Sequence, residues 1–93
     1  MDEYVPPTQE ISNYRKKQAL LMGQPLSPRQ EEIIRMMVEG FKNIQIASAL
    51  GISSQTVRNH NTDIFAKLGA THRTGAVVLY LWEHPELIRS TVL

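Results

Sequence analysis

Apolar residues in this chain recur at three- and four-residue intervals and never in sustained alternation, so the pattern predicts helices and no sheet. The plainest start is Ser27, a good N-cap, with Pro28 at the first helical position and Gln30 completing a capping-box pattern. From there Ile33, Ile34, Met37 and Phe41 form a core-facing stripe. Arg29, Glu32, Arg35 and Glu39 face solvent, and Gly40 stops the helix. A short helix over 43–50 follows, with Ile46, Ala47 and Leu50 on one face, and Gly51-Ile52-Ser53 interrupts it. The next helix runs from Ser54 to Leu68, capped by Ser53 and ended by Gly69. Thr74 to Trp82 is helical and strongly apolar, and Pro85 breaks it or starts another turn through Leu87 and Ile88. The fold class is all-α.

Before Ser27 the pattern thins. Tyr4-Val5-Pro6-Pro7 predicts an extended opening with no helix before Thr8. A sparse stripe of Ile11, Tyr14, Gln18 and Leu21 then permits a helix over 8–22, which Gly23 and Pro25 end. The chain divides into an arm over 1–25, a helical domain over 26–84 and a tail over 85–93.

Ninety-three residues fit one small domain. The absence of cysteine excludes a disulfide framework, a thiolate zinc site and a catalytic thiol. The longest apolar run, Ala76 to Trp82, falls far short of the roughly 20 residues that span a membrane. The acidic start, Met1-Asp2-Glu3, is unlike a secretory signal, and a cytoplasmic location with no membrane partner is the expectation. A net charge of +1 conceals an asymmetry: between residues 40 and 74, Lys42, Arg58, Lys67 and Arg73 face only Asp63. Any polyanion is expected to be met there.

A short and a long helix joined by Gly51-Ile52-Ser53 fit helix-turn-helix spacing. Ala47 is small where the helices cross, Gly51 can take the left-handed conformation, and Ile52 and Val57 fill the angle. Antiparallel helical hairpins use similar turns, so spacing leaves both open. The face of the long helix says more. At about 100° per residue, Val57, His60, Asn61, Ile64 and Leu68 share the inner side, and Gln55, Arg58, Asn59 and Thr62 share the outer. Gln and Asn can pair with adenine edges, Arg can fork onto guanine, and Thr offers a hydroxyl and a methyl to thymine. A plain solvated face would carry more Glu and Lys, so these four are the candidate base-reading residues.

The run Leu26-Ser27-Pro28-Arg29-Gln30-Glu31, then Gly40, Ile46-Ala47, Leu50-Gly51-Ile52-Ser53, Thr56-Val57-Arg58-Asn59-His60, Ile64, Lys67-Leu68-Gly69 and Arg73-Thr74, resembles the LuxR/GerE-type (NarL/FixJ-like) DNA-binding domain. The resemblance covers residues 26 to about 82 without a gap. It implies a four-helix domain whose third helix enters the major groove and whose fourth pairs two subunits on an inverted repeat. It places Arg58, Asn59 and Thr62 where bases are read, and Thr56, His60, Lys67 and Arg73 where the family meets phosphate or braces the motif. Lys42 and Asn43, at the start of the second helix, join the expected phosphate contacts.

Several positions depart from the family pattern. Its second helix usually opens with a Ser or Thr cap and a Glu three residues on; here these are Lys42 and Gln45, and capping is expected to pass to Asn43. Ile44 stands where Lys is frequent. Asp63, at the edge of the outer face, either accepts from a cytosine amino group or repels phosphate. Gly75 lowers helix propensity by about 1 kcal/mol, which predicts a fourth helix dependent on pairing.

Thr74, Val78, Leu81 and Trp82 form a stripe on that fourth helix, usable as monomer core or subunit interface. So small a domain can hardly bury every face of Ala76 to Trp82 internally, so a homodimer interface is expected, extended by the tail. His60, His72 and His84 lie on separate elements, and no metal, cofactor or enzymatic constellation is expected. Arg15-Lys16-Lys17 reads first as a solvated run and second as a phosphate contact. The residues before Leu26 are too few for the receiver or sensing domain such families often attach. Either the protein acts without its own sensor or the chain is a fragment; Met1 favours the former, with control by abundance or by a protein partner docking on the arm. The expected function is sequence-specific binding of double-stranded DNA in transcription regulation. Two rivals are an interaction protein of the same fold that sequesters a larger regulator, and a sigma-type promoter-reading module.

Overall fold

A computed structural model describes the backbone of residues 7–92 and the side chains of residues 12–88. The expected extended opening at Tyr4 to Pro6 and the side chain of Ile11 lie outside those residues. The order is α1 (Pro7–Leu21), α2 (Pro28–Val38), α3 (Asn43–Leu50), α4 (Ser54–Leu68), α5 (Arg73–Glu83) and α6 (Pro85–Val92). Among the described residues there is no strand. One boundary changes: α1 starts at Pro7 rather than Thr8, because the first helical position needs no N–H and suits the fixed φ of proline. Of the two readings at Pro85 the second holds, and Pro85 opens α6 on the same principle.

The caps set these boundaries. Ser27 Oγ accepts from Gln30 N at 3.2 Å while Gln30 Oε1 accepts from Ser27 N at 3.1 Å, a reciprocal box at the head of α2. Ser53 Oγ accepts from Thr56 N at 3.0 Å at the head of α4. α3 differs from expectation. Its N-cap is Lys42, which has no acceptor to offer, and Gln45 Oε1 instead accepts the Lys42 N–H at 2.8 Å. Asn43 is the first helical residue rather than the cap, and its side chain is used elsewhere.

The core joins α2 through α5. Ile33, Ile34 and Met37 of α2 meet Ile46 and Ala47 of α3, Val57 and Ile64 of α4, Ala70, and Ala76 and Tyr80 of α5. Each large side chain fully removed from water contributes about 1.5–3 kcal/mol, so the helix-turn-helix is held by α2 and α5 behind it. Gly51 makes the turn. At φ 68 it lets Ile52 N donate to Ala47 O at 3.0 Å, satisfying α3's last turn and swinging the chain into α4.

α1 is attached to α4. Lys17 Nζ lies 2.7 Å from Asp63 Oδ1, Tyr14 Oη donates to the Ala70 carbonyl, and Gly23 N donates to Lys67 O at 2.9 Å. Met22 Cε would stand 2.9 Å from a Cβ at Gly69, so the arm's end fits closely against the end of α4.

Candidate nucleic-acid interface

α4 presents its polar side outward because Val57, Asn61 and Ile64 are buried on the other. Gln55, Arg58, Asn59 and Thr62 are all exposed. They also order one another. Arg58 Nη2 donates to Gln55 Oε1 and Gln55 Nε2 donates to Asn59 Oδ1, each at 3.0 Å, while Thr62 Oγ1 donates to the Arg58 carbonyl at 3.1 Å. The result is a continuous strip of donors and acceptors over the first two and a half turns. It closes at Ala66, one turn past Thr62 and fully buried.

Asp63 departs from both sequence readings. Its carboxylate is paired with Lys17 of α1 at 2.7 Å, so it stands as a neutralised docking point for the arm. Arg15 and Lys16 are exposed, leaving Lys17 as the member of that charge run with an ion-pair partner on α4.

The six residues assigned to phosphate separate into groups. Lys42 is exposed at the head of α3, and Thr56 and His60 are half-buried on the flanks of α4. Thr56 Oγ1 shares a 2.8 Å hydrogen bond with Ser53 Oγ. Lys67 Nζ donates to Gln30 Oε1 at 2.8 Å and to Pro25 O at 3.1 Å, joining α4 to the start of α2. Arg73 donates through Nη1 to Asn43 Oδ1 at 3.2 Å and through Nη2 to the Phe41 carbonyl. Asn43 Oδ1 also accepts from Asn61 Nδ2 at 3.0 Å. Lys67, Arg73 and Asn43 therefore brace the motif in this geometry.

Two features escaped the sequence, and a third, the burial of Asn61, follows from its expected place on the inner side of α4. Gln30 is only 5% exposed although polar, because its Oε1 serves both the Ser27 cap and Lys67. Asn61 is 7% exposed and sits among core side chains. His72 caps α5, its Nδ1 accepting from Gly75 N at 3.2 Å. Only the capping residues carried a local signal, and that signal favours Ser, Thr, Asp and Asn.

On α5, Trp82 is 82% exposed and Val78 53%, Thr74 is exposed and Leu81 half-buried. Leu79, which sequence reasoning did not single out, is exposed as well. The opposite side is anchored by Tyr80, whose hydroxyl donates to Glu31 Oε2 at 2.5 Å and accepts from Arg35 Nε at 3.2 Å. Burial, with the bond to Glu31 second, raises the Tyr80 phenol above its ordinary pKa. Its ring stacks on His84 at 4.1 Å. Among the described residues no group of three or more acidic or histidine side chains could hold a metal ion, and no helix is long and apolar enough to cross a membrane.

The model of a family described as bacterial regulatory proteins, luxR family, matches residues 24–80. The chain is also similar to the HTH-type transcriptional regulator MalT of Klebsiella pneumoniae subsp. pneumoniae, 29% identical over 69 residues, which are 74% of this chain and 8% of that protein. The MalT of Cronobacter sakazakii is 29% identical over 68 residues, 73% of this chain and again 8% of the relative. The chain thus spans less than a tenth of the length of these curated relatives.

Proposed function

This chain belongs to the LuxR family of bacterial regulatory proteins, and from that membership, which makes it a DNA-binding transcription regulator, we propose that it reads the major groove of double-stranded DNA in a sequence-specific manner through α4. The observation that carries this reading is the exposed, mutually hydrogen-bonded strip of Gln55, Arg58, Asn59 and Thr62. These groups match base edges, and their ordering lowers the entropy lost on docking. Lys42 at the head of α3, with Thr56 and His60 beside the strip, supplies the first phosphate contacts. Asn43, Lys67 and Arg73 hold those elements in place and add positive potential.

Two subunits pair through α5, where Val78, Leu79 and Trp82 leave an apolar surface open beside Thr74 and Leu81. Pairing by a two-fold axis presents two α4 helices to an inverted repeat. The protein works in the cytoplasm, and a controlling protein partner reaches it through the arm. A sequestering role for the same fold draws on Ile44, 69% exposed at the head of α3. Selection from random duplexes at two salt concentrations separates the two. Recovery of a two-fold consensus is the expected result; a pool without sequence enrichment refutes base reading and leaves sequestration.

A further inference from the structure

Asn61 is an unusual core residue. It lies on the inner side of α4 with Val57 and Ile64, at 7% exposure, and its Oδ1 is buried with no hydrogen-bond partner among the described residues. A buried amide left half-satisfied is a poor source of stability. What it gains is one directed bond, Nδ2 to Asn43 Oδ1 at 3.0 Å, onto an atom that also accepts from Arg73 Nη1 at 3.2 Å. Arg73 in turn donates to the Phe41 carbonyl just ahead of α3. Three elements therefore meet at one oxygen: the first residue of α3, the middle of α4 and the first residue of α5.

That meeting point lies behind two surfaces that must act together. The head of α3 carries Lys42, assigned to the DNA backbone, and the face of α4 opposite Asn61 carries Gln55, Arg58, Asn59 and Thr62. Apolar contacts alone leave α4 free to slip or roll by small amounts against α3, since hydrophobic burial has no direction. A hydrogen bond across the interface does not. We propose that Asn61 is a positioning residue for DNA recognition: through Asn43 and Arg73 it fixes the roll of α4 relative to the backbone-contacting head of α3, and so determines sequence discrimination rather than stability. This inference rests on the base-reading role of α4.

Asn61→Leu fills similar volume with apolar atoms and removes the directed bond. Asn43 Oδ1 keeps its bond from Arg73 Nη1 and the unpartnered Asn61 Oδ1 is removed, so no buried polar group is newly left unpaired. The melting temperature of the variant is therefore expected to match or exceed that of the parent. Affinity for a random duplex is expected to stay within about two-fold, because phosphate contacts dominate non-specific binding. The ratio of selected-site to random-duplex affinity is expected to fall about ten-fold, comparable to one misread base pair. A double-mutant cycle with Asn43→Ala tests the coupling. If the two act through one bond, the double variant loses no more discrimination than the larger single loss. Should Asn61→Leu not fold, Asn61→Ser enters the cycle in its place. An unchanged ratio, a ratio that falls only in step with melting temperature, or additive losses in the cycle each overturn the inference. If the parent itself shows no preference among duplexes, it is base reading by α4 that fails.

Discussion

Replacing Gly75 by alanine sets helix propensity against capping at the head of α5. An ideal Cβ at this position would stand 2.7 Å from both Cε1 and Nδ1 of the His72 ring. The same Nδ1 accepts the Gly75 N–H at 3.2 Å as the side-chain cap of the helix. No ring tolerates a methyl at that distance, so the imidazole must rotate away and the cap bond goes with it. Alanine is favoured over glycine within a helix by about 1 kcal/mol, and loss of a side-chain N-cap costs about 0.5–2 kcal/mol. The two effects oppose each other at similar size. Gly75→Ala is therefore expected to leave stability within about 0.5 kcal/mol of the parent or to lower it, in place of the gain that propensity alone would give.

The sign reverses when the ring is absent. In a His72→Ala background the cap is already lost and nothing opposes the new methyl, so Gly75→Ala is expected to stabilise by about 1 kcal/mol. Urea denaturation of the four proteins, read by linear extrapolation, gives the coupling directly. At this chain length about 1 kcal/mol corresponds to roughly 4–8 °C of melting temperature, well within resolution. Equal stabilisation by Gly75→Ala in both backgrounds would falsify the account of Gly75 as room made for a capping histidine.

Three further outcomes bear on the proposed function. Arg58→Ala is expected to cost about 1–3 kcal/mol on the selected duplex and to flatten preference at one base position; equal losses on all duplexes, measured by fluorescence anisotropy, contradict base reading by this residue. Lys67→Ala removes the ammonium from Gln30 and Pro25, so it is expected to lower folding stability by about 1 kcal/mol; a shallower salt dependence of DNA binding with unchanged denaturation would instead assign Lys67 to phosphate. Trp82→Ala is expected to move sedimentation toward monomer at micromolar concentration, and identical monomeric profiles for parent and variant remove the α5 interface.

The helices of the domain were legible because their signals are local. Ser27, Ser53, Gly51 and Gly69 mark boundaries through bonds to backbone atoms three to five residues away. The polar outer face of α4 was legible from its period. What the sequence withheld are polar contacts between residues far apart: Lys17 with Asp63, Lys67 with Gln30, Asn61 with Asn43, Tyr80 with Glu31. No period or spacing encodes such pairs. Asp63 showed this most clearly, because α1 had only a thin stripe and no visible destination. Gly75 shows half of its role in the sequence: its propensity cost is local and visible, whereas the His72 ring above it exists only in three dimensions.

These contacts change the electrostatic picture of DNA binding. The basic excess between residues 40 and 74 includes Lys67 and Arg73, each of which already gives two hydrogen bonds within the fold, to Gln30 and Pro25 and to Asn43 and Phe41. Lys17 of the arm, in turn, cancels the one acid of that segment. Positive potential is thereby kept, while within that segment the exposed cations are Lys42 at the head of α3 and Arg58, which donates to Gln55, on the outer strip of α4. Counterion release scales with the number of phosphates neutralised, so a single motif with two exposed cations is expected to have a weak non-specific grip. In the proposed dimer, pairing through Trp82 and Val78 would double that number without adding charge to either subunit. The same proposed pairing would make discrimination depend on geometry, since both α4 helices would have to meet their half-sites at once. In the proposed reading, a motif with so few exposed cations gains most from helices held in fixed register, which would give the polar node behind α4 and the exposed stripe on α5 a common purpose.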